Sequence, residues 1–462
     1  MKIVTLKSVL WFCIIFLLAL SFPIQVELSS PLPSLFPYVG IAFVLILTLL
    51  FEARKQRELL RWNTKNPMNL MVTIYLMLVF FHTGWQTLFG FISPENAVSV
   101  IAIYVFPMVF LMYFAQVATD QEIRTVLIAM AWVGLAVGLY FAYDSYTKLV
   151  LGQVNDYAQR AMDYSLVRSD QTLDDANITR ISAGYRSFGL LESPTVSASW
   201  VSLGCFAALS LIPRTRTWRR MIIIVTYGLI LLIGLNFTGI VGFALVIFLM
   251  EFHGIAWLRS CISKRSVKAI GIVTGVLMLL GVLLVWTIGW ETFEAIQQNL
   301  TYQVELAKGV NTLGDDEHKY FSGLISDIAA FPINMMSEFP PGFLIGDGFS
   351  TEFQIYRKGG DYGIVDTLYR FGLPFFLAII FGLISLIRRS IRQMSLAGAD
   401  QETSSRYLWF AVCITAYLLF EEVHYTTWNA KSILPIFFFA LALYARSLTP
   451  HRHTQAPPKA EG

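Results

Sequence analysis

Apolar runs long enough to cross a lipid bilayer recur along almost the whole chain, and that repetition limits what the sequence can fold into more than any motif does. A hydrocarbon core about 30 Å thick needs roughly 20 apolar helical residues to span it. Segments of this kind are read at residues 8–24, 35–51, 68–88, 98–116, 126–143, 197–212, 221–236, 239–250, 269–290, 365–387, 407–420 and 432–444. With 56% hydrophobic and only 14% charged residues in 462, the chain has too little polar surface to cover so much apolar volume in water. Lipid has to serve as its solvent. The expected fold is an all-α polytopic membrane protein with about twelve transmembrane helices and two large extracytoplasmic loops.

Basic residues set the expected orientation. A cytoplasmic N-terminus puts 23 of the 34 Lys and Arg residues on the inner side, in clusters such as Arg54, Lys55, Arg57 and Arg61, or Arg214, Arg216, Arg219 and Arg220. The reverse orientation breaks the positive-inside rule. Both termini are then cytoplasmic, and Trp85, Trp200 and Trp428 fall at outer helix ends, where amphipathic indoles settle. The first segment follows Lys2 and Lys7 as a signal peptide would, but no small-residue cleavage site appears before Pro23, so it reads as a retained helix. Asn236, Thr238 and Gly239 mark either a tight turn between the seventh and eighth segments or a break in a re-entrant or kinked element. The resulting organisation is helices one to five at 1–143, an outer loop at 144–196, helices six to nine at 197–290, a second outer loop at 291–364, helices ten to twelve at 365–448, and a cytoplasmic tail at 449–462 whose composition predicts disorder.

Several function classes drop out. The net charge of +3 is spread by topology and carries no nucleic-acid meaning. No P-loop or glycine-rich dinucleotide fingerprint is present, which argues against an ATP-driven pump within this chain. Cys13, Cys205 and Cys413 lie in apolar segments and Cys261 in an inner loop, so none is placed for an external disulfide, and no Cys and His spacing suits zinc.

The outer loops hold the candidate chemistry. In the first, Arg160 and Arg168 read as members of scattered surface ion pairs. Arg180 and Arg186 sit in ITRISAGYRSFGLLESPTVSASW, just before the sixth segment, where a guanidinium reaches the membrane surface. Its planar fork of donors suits a lipid-linked phosphate, while snorkelling at a helix end is the plainer reading. In the second loop, residues 291–308 show helical spacing of Phe293, Ile296, Leu300 and Val304, as an amphipathic surface helix would. The stretch FPINMMSEFPPGFLIGDGFS is apolar enough to pack on a lipid tail or on the protein itself. Next come Asp361, Asp366 and Arg370, the last two four residues apart on one helical face. An ionisable pair there is costly facing lipid, so it points to a polar cavity or polar partners. It reads either as a structural ion pair or as a carboxylate able to orient or deprotonate a hydroxyl. Glu421, Glu422 and His424 fall between the last two segments, and His82 reads as a satisfied buried histidine.

The order of these elements resembles the superfamily of O-antigen polymerases and O-antigen ligases. YRSFGLLESPTVSASW is similar to its Arg, Gly and Pro stretch entering a span, LNFTGIVGFALVIFL to its Thr-containing turn between spans, and LIGDGFS with VDTLYRFGLPFFLAIIFGLI to its glycine turn and polar-headed helix. Ligases carry a His-Asn pair at the head of that helix; this chain has Asp366-Thr367, which points to the polymerase branch. Regularly spaced Arg-to-Gly repeats of some polymerases are missing. The resemblance implies a membrane glycosyltransferase of the bacterial inner membrane that joins undecaprenyl-diphosphate-linked repeat units at its outer face, for O-antigen, capsule or exopolysaccharide. It needs no cofactor or metal, and its partners would be a flippase and a chain-length regulator. Asp366 and Arg186, with His424 as a second base, are then the catalytic candidates. Arg180, Arg186 and Arg370 are the diphosphate ligands, and Asp361, Glu192 and Glu422 the sugar contacts. A ligase, a protein O-oligosaccharyltransferase or, less readily, a secondary transporter stays open.

Overall fold

The computed structural model describes residues 2–30, 33, 36–51, 67–149, 151, 153, 155–169, 189–191, 193–213, 215–234, 237–251, 320–349, 363–396, 402–423, 430 and 432–448. Among these, every regular element is helical. In chain order they are α1 (Lys2–Leu28), α2 (Phe36–Phe51), α3 (Pro67–Leu88), α4 (Pro94–Gln116), α5 (Asp120–Leu149), α6 (Asp156–Ser169), α7 (Pro194–Leu211), α8 (Thr217–Ile233), α9 (Phe237–Glu251), α10 (Tyr320–Glu338), α11 (Gly342–Ile345), α12 (Gly363–Leu396), α13 (Glu402–Glu421) and α14 (Leu434–Leu448). Among the described residues, five helices are long and apolar enough to cross a membrane, over Leu6–Leu28, Pro94–Gln116, Asp120–Lys148, Pro194–Leu211 and Gly363–Met394. Shorter apolar helices cover Phe36–Thr48, Val72–Leu88, Gly239–Glu251 and Leu434–Ser447. The expected segment at 269–290, the amphipathic stretch at 291–308 and the tail lie outside the described residues.

Small residues bring the central helices together. α5 packs most extensively against α7, and the closest approach is at Gly134 and Gly204, where a Cβ on either would fall 2.6 or 2.7 Å from the other's Cα. Such backbone proximity gives dispersion contact where lipid supplies no hydrophobic drive between helices. α13 packs on α7, and α14 packs on α4 and α13, contributing buried Trp409, Phe410, Phe439 and Tyr444 to the core. Trp11 of α1 nests against Phe110, Tyr113 and Phe114 of α4.

Polar contacts sort the helix ends into two groups, as an alternating up-and-down order demands. At one end, Lys7 of α1 lies 3.5 Å from Glu122 of α5 with both side chains fully buried, and Tyr113 of α4 donates to the same carboxylate. Arg446 at the end of α14 bonds Asp120 and the Ala118 carbonyl. Arg220 at the start of α8 pairs with Glu251 at the end of α9, so α8 and α9 form an antiparallel hairpin. At the opposite end, Glu27 of α1 meets Arg160 of α6 at 2.7 Å, the Ile364 amide of α12 bonds the Glu422 carbonyl after α13 at 2.6 Å, and Trp200 of α7 donates to Ser432.

Candidate functional site

The second group of ends carries the described parts of the 144–196 and 291–364 segments, and its centre is α12. Gly372 adopts φ +72° and Pro374 follows, so the helix breaks between Phe371 and Leu373. Proline at 374 has no N–H, which deprives the Arg370 carbonyl of its intrahelical donor. The turn after α11 replaces the lost bonds. Asp347 N–H donates to the Tyr369 carbonyl at 2.8 Å and Gly348 N–H to the Arg370 carbonyl at 3.3 Å. This interlock requires glycine on both sides: Gly346 has φ +82°, and a Cβ there would lie 2.0 Å from the Arg370 oxygen. From α3, Gln86 donates to the Asp347 carbonyl at 2.6 Å. Buried His82 takes up both ring nitrogens, Nδ1 accepting from the Trp85 indole at 3.3 Å and Nε2 donating to the Ile345 carbonyl at 2.9 Å. His82 is the satisfied core histidine that its position suggests.

Upon this frame sits the ion pair. Arg370 Nε donates to Asp366 Oδ2 at 2.6 Å, and Nη1 reaches the Tyr104 hydroxyl at 3.1 Å and the Phe349 carbonyl at 3.4 Å. Asp366 is 7% exposed and Arg370 9%, so the pair has the polar partners that its cost of burial demands. Around it lie Tyr75, Phe349 and Phe371. α10 covers the flank. Phe331 and Met335 pack on Val365, Leu368 and Tyr369, and Asn334 donates to the Tyr369 hydroxyl at 3.0 Å. The FPINMM stretch thus packs its inner face on the protein. Glu422 is buried beside the start of α12, and Glu421 is buried beside Tyr417, Ser199 and Ser202. Below the glycine turn, an open apolar groove of about 940 Å³ is lined by Ile74, Met77, Phe80, Phe81, Ile345 and Phe375, among others.

The described part of the 144–196 segment is anchored by a buried carboxylate. Asp144, near the end of α5, accepts from the Asn155 side chain and, at 3.1 Å, from the Gly189 amide. Asn155 also caps α6, its Oδ1 accepting from Ala158 N–H at 2.8 Å. Tyr157 donates to the Leu190 carbonyl at 2.6 Å. Burial pushes this hydroxyl well above its ordinary value, so it remains a donor at any physiological pH. Arg160 forms the half-exposed surface pair with Glu27 that its sequence context suggests.

Of the candidates named from sequence, Asp366 and Arg370 pair in the first two turns of α12, and Glu422 lies beside the start of that helix, its carbonyl accepting from the Ile364 amide. Arg180, Arg186, Glu192, Asp361 and His424 lie outside the described residues. Tyr104, Gln86, Asp347 and Asp144 are contributors that sequence reasoning did not single out. No protein-family model matches the chain, and no curated protein matches it either.

Proposed function

We propose that this chain is a multi-pass glycosyltransferase of the bacterial inner membrane, with both termini cytoplasmic and twelve spans in all, that polymerises undecaprenyl-diphosphate-linked repeat units at the outer face. The reading rests on one observation above the rest: a buried carboxylate and guanidinium, one helical turn apart, held by an interlocked glycine turn at the helix ends that bear both polar loops. In the reaction, the acceptor sugar hydroxyl attacks the donor's anomeric carbon. The new glycosidic bond forms as the bond to the diphosphate oxygen breaks. The hydroxyl proton passes to Asp366, with His424 as an alternative acceptor, and polyprenyl diphosphate leaves. Its developing charge is met by Arg180 and Arg186, joined by Arg370, since fixed cations aimed at a leaving group lower the barrier without reorganising. Asp361, Glu192 and Glu422 contact the sugars. A polyprenyl chain has the chemistry to fill the apolar groove beside Ile345 and Phe375. The energy resides in the glycosyl diphosphate, so no nucleotide is consumed outside the cytoplasm; a flippase delivers the donor and a chain-length regulator limits the product.

Polymer length in cells lacking the gene tests the reading. Loss of a polymerase leaves single repeat units on the acceptor. Unattached long chains would identify a ligase instead, and unchanged glycan would remove the chain from this chemistry.

A further inference from the structure

We propose that α10 is seated in the membrane leaflet at the loop-bearing end of the bundle, with lipid chains as its partner on the side away from the protein. Two observations carry this, and neither depends on the glycan reading; they require only that the apolar helices cross a bilayer. The first is depth. Phe331 and Met335 pack on Val365, Leu368 and Tyr369, which lie in the first two turns of α12, not above its end. Phe339, just past α10, stacks on Trp85 with ring centroids 5.0 Å apart, and Trp85 is one turn inside the end of α3. α10 therefore runs alongside the outermost turns of the spans, where aromatic side chains mark the interface.

The second observation is the composition of the free face. Within α10, Ala329, Pro332, Ile333 and Met336, at i, i+3, i+4 and i+7, are all exposed and all apolar, with exposed Ser326 and Ser337 along one edge. Ile333 is 72% exposed and Met336 60%. A loop helix in water would carry its polar residues on that side. Phe339 links this end of α10 to α3 through its stack on Trp85. Trp85 also touches Phe89 and Phe91 in the turn after α3, and below it Phe80, Phe81 and Met77 are exposed along α3. Exposed apolar side chains thus lie on both α3 and α10, which Trp85 and Phe339 join, and an exposed apolar face of that kind is what an interfacial helix presents to acyl chains.

The test is fluorescence quenching on the full chain in nanodiscs. Cys13, which is exposed, and Cys261 are replaced by Ala, whereas Cys205 and Cys413 are buried in the folded protein. Ile333→Cys and Met336→Cys are labelled with an environment-sensitive fluorophore, with Phe81→Cys as the lipid-facing reference and Gln159→Cys on α6 as the aqueous one. Phosphatidylcholine with a nitroxide on the upper acyl chain should quench positions 333 and 336 to the same extent as position 81. Iodide in the buffer should quench them several-fold less than position 159. Strong iodide quenching with no lipid quenching would place the face in water and overturn the proposal. Protection from both quenchers would show protein covering the stripe and would overturn it equally. If one variant fails to fold, the other reads the same face.

Discussion

At the arginine-rich end of the bundle, Arg220 reaches from α8 to Glu251 on α9, bonds the carboxylate through two nitrogens, and caps the Leu209 and Ile212 carbonyls at the end of α7. At the other end, Asp366 and Arg370 are neighbours on a single helix. Both pairs are buried, but they perform different tasks. The first joins three helices, so its charges are committed to cohesion. The second closes within one turn, and among the described residues Arg370 is tied to neighbouring elements by hydrogen bonds to Tyr104 and the Phe349 carbonyl and by the charge of Asp347. Under the proposed glycosyl transfer, this guanidinium would turn toward the incoming diphosphate without opening the bundle. That freedom is what a substrate-facing ion pair requires and what a structural staple lacks.

Mutations that remove each element separately probe the distinction. Arg220→Ala should have the largest effect, a loss of roughly 3–5 kcal/mol, because it leaves Glu251 buried and alone; thermal unfolding in detergent reads it. Gly346→Ala should follow at about 1–3 kcal/mol from backbone strain, with the clash against the Arg370 oxygen added, and its melt should fall between those of Arg220→Ala and the parent. Tyr104→Phe, which strips one hydrogen bond from a charged group, should cost about 1.5 kcal/mol in the same assay. A greater loss from Tyr104→Phe than from Arg220→Ala would erase the contrast between the two ends. Glu27→Gln should leave the melting curve unchanged, since its pair with Arg160 is half exposed and solvent-screened.

Helices were legible in the sequence wherever apolar runs dictate them. The run read at 126–143 lies inside α5, which extends to Asp120–Leu149. Its first turn is polar, with Glu122 taking hydrogen bonds from Thr119 and Tyr113, so hydropathy alone stops short of it. α6 was hidden in the first loop because a polar helix leaves no apolar run. Its signal was Asn155 in a capping position with Ala158 and Ala161 on one face. α10 was masked by Pro332, although Phe331 and Met335 stand four residues apart. At the site, the Asp366 and Arg370 spacing predicted their pairing. What no local pattern contains is the interlock: Gly346, Gly348, Gly372 and Pro374 are each visible as breakers, but the donation from Gly348 to the Arg370 carbonyl exists only after the turn and the kink meet. Tyr104 is further still, 266 residues away along the chain.

The central claim, that Asp366 and Arg370 form a glycosyl-transfer site at the loop-bearing end, is tested most directly with purified protein in nanodiscs. The donor is an undecaprenyl-diphosphate-linked repeat unit, with no nucleotide present. The account predicts that the parent chain lengthens the glycan and releases undecaprenyl diphosphate, while Asp366→Asn, folded by its melting curve, does neither. Equal elongation by the two proteins would contradict it.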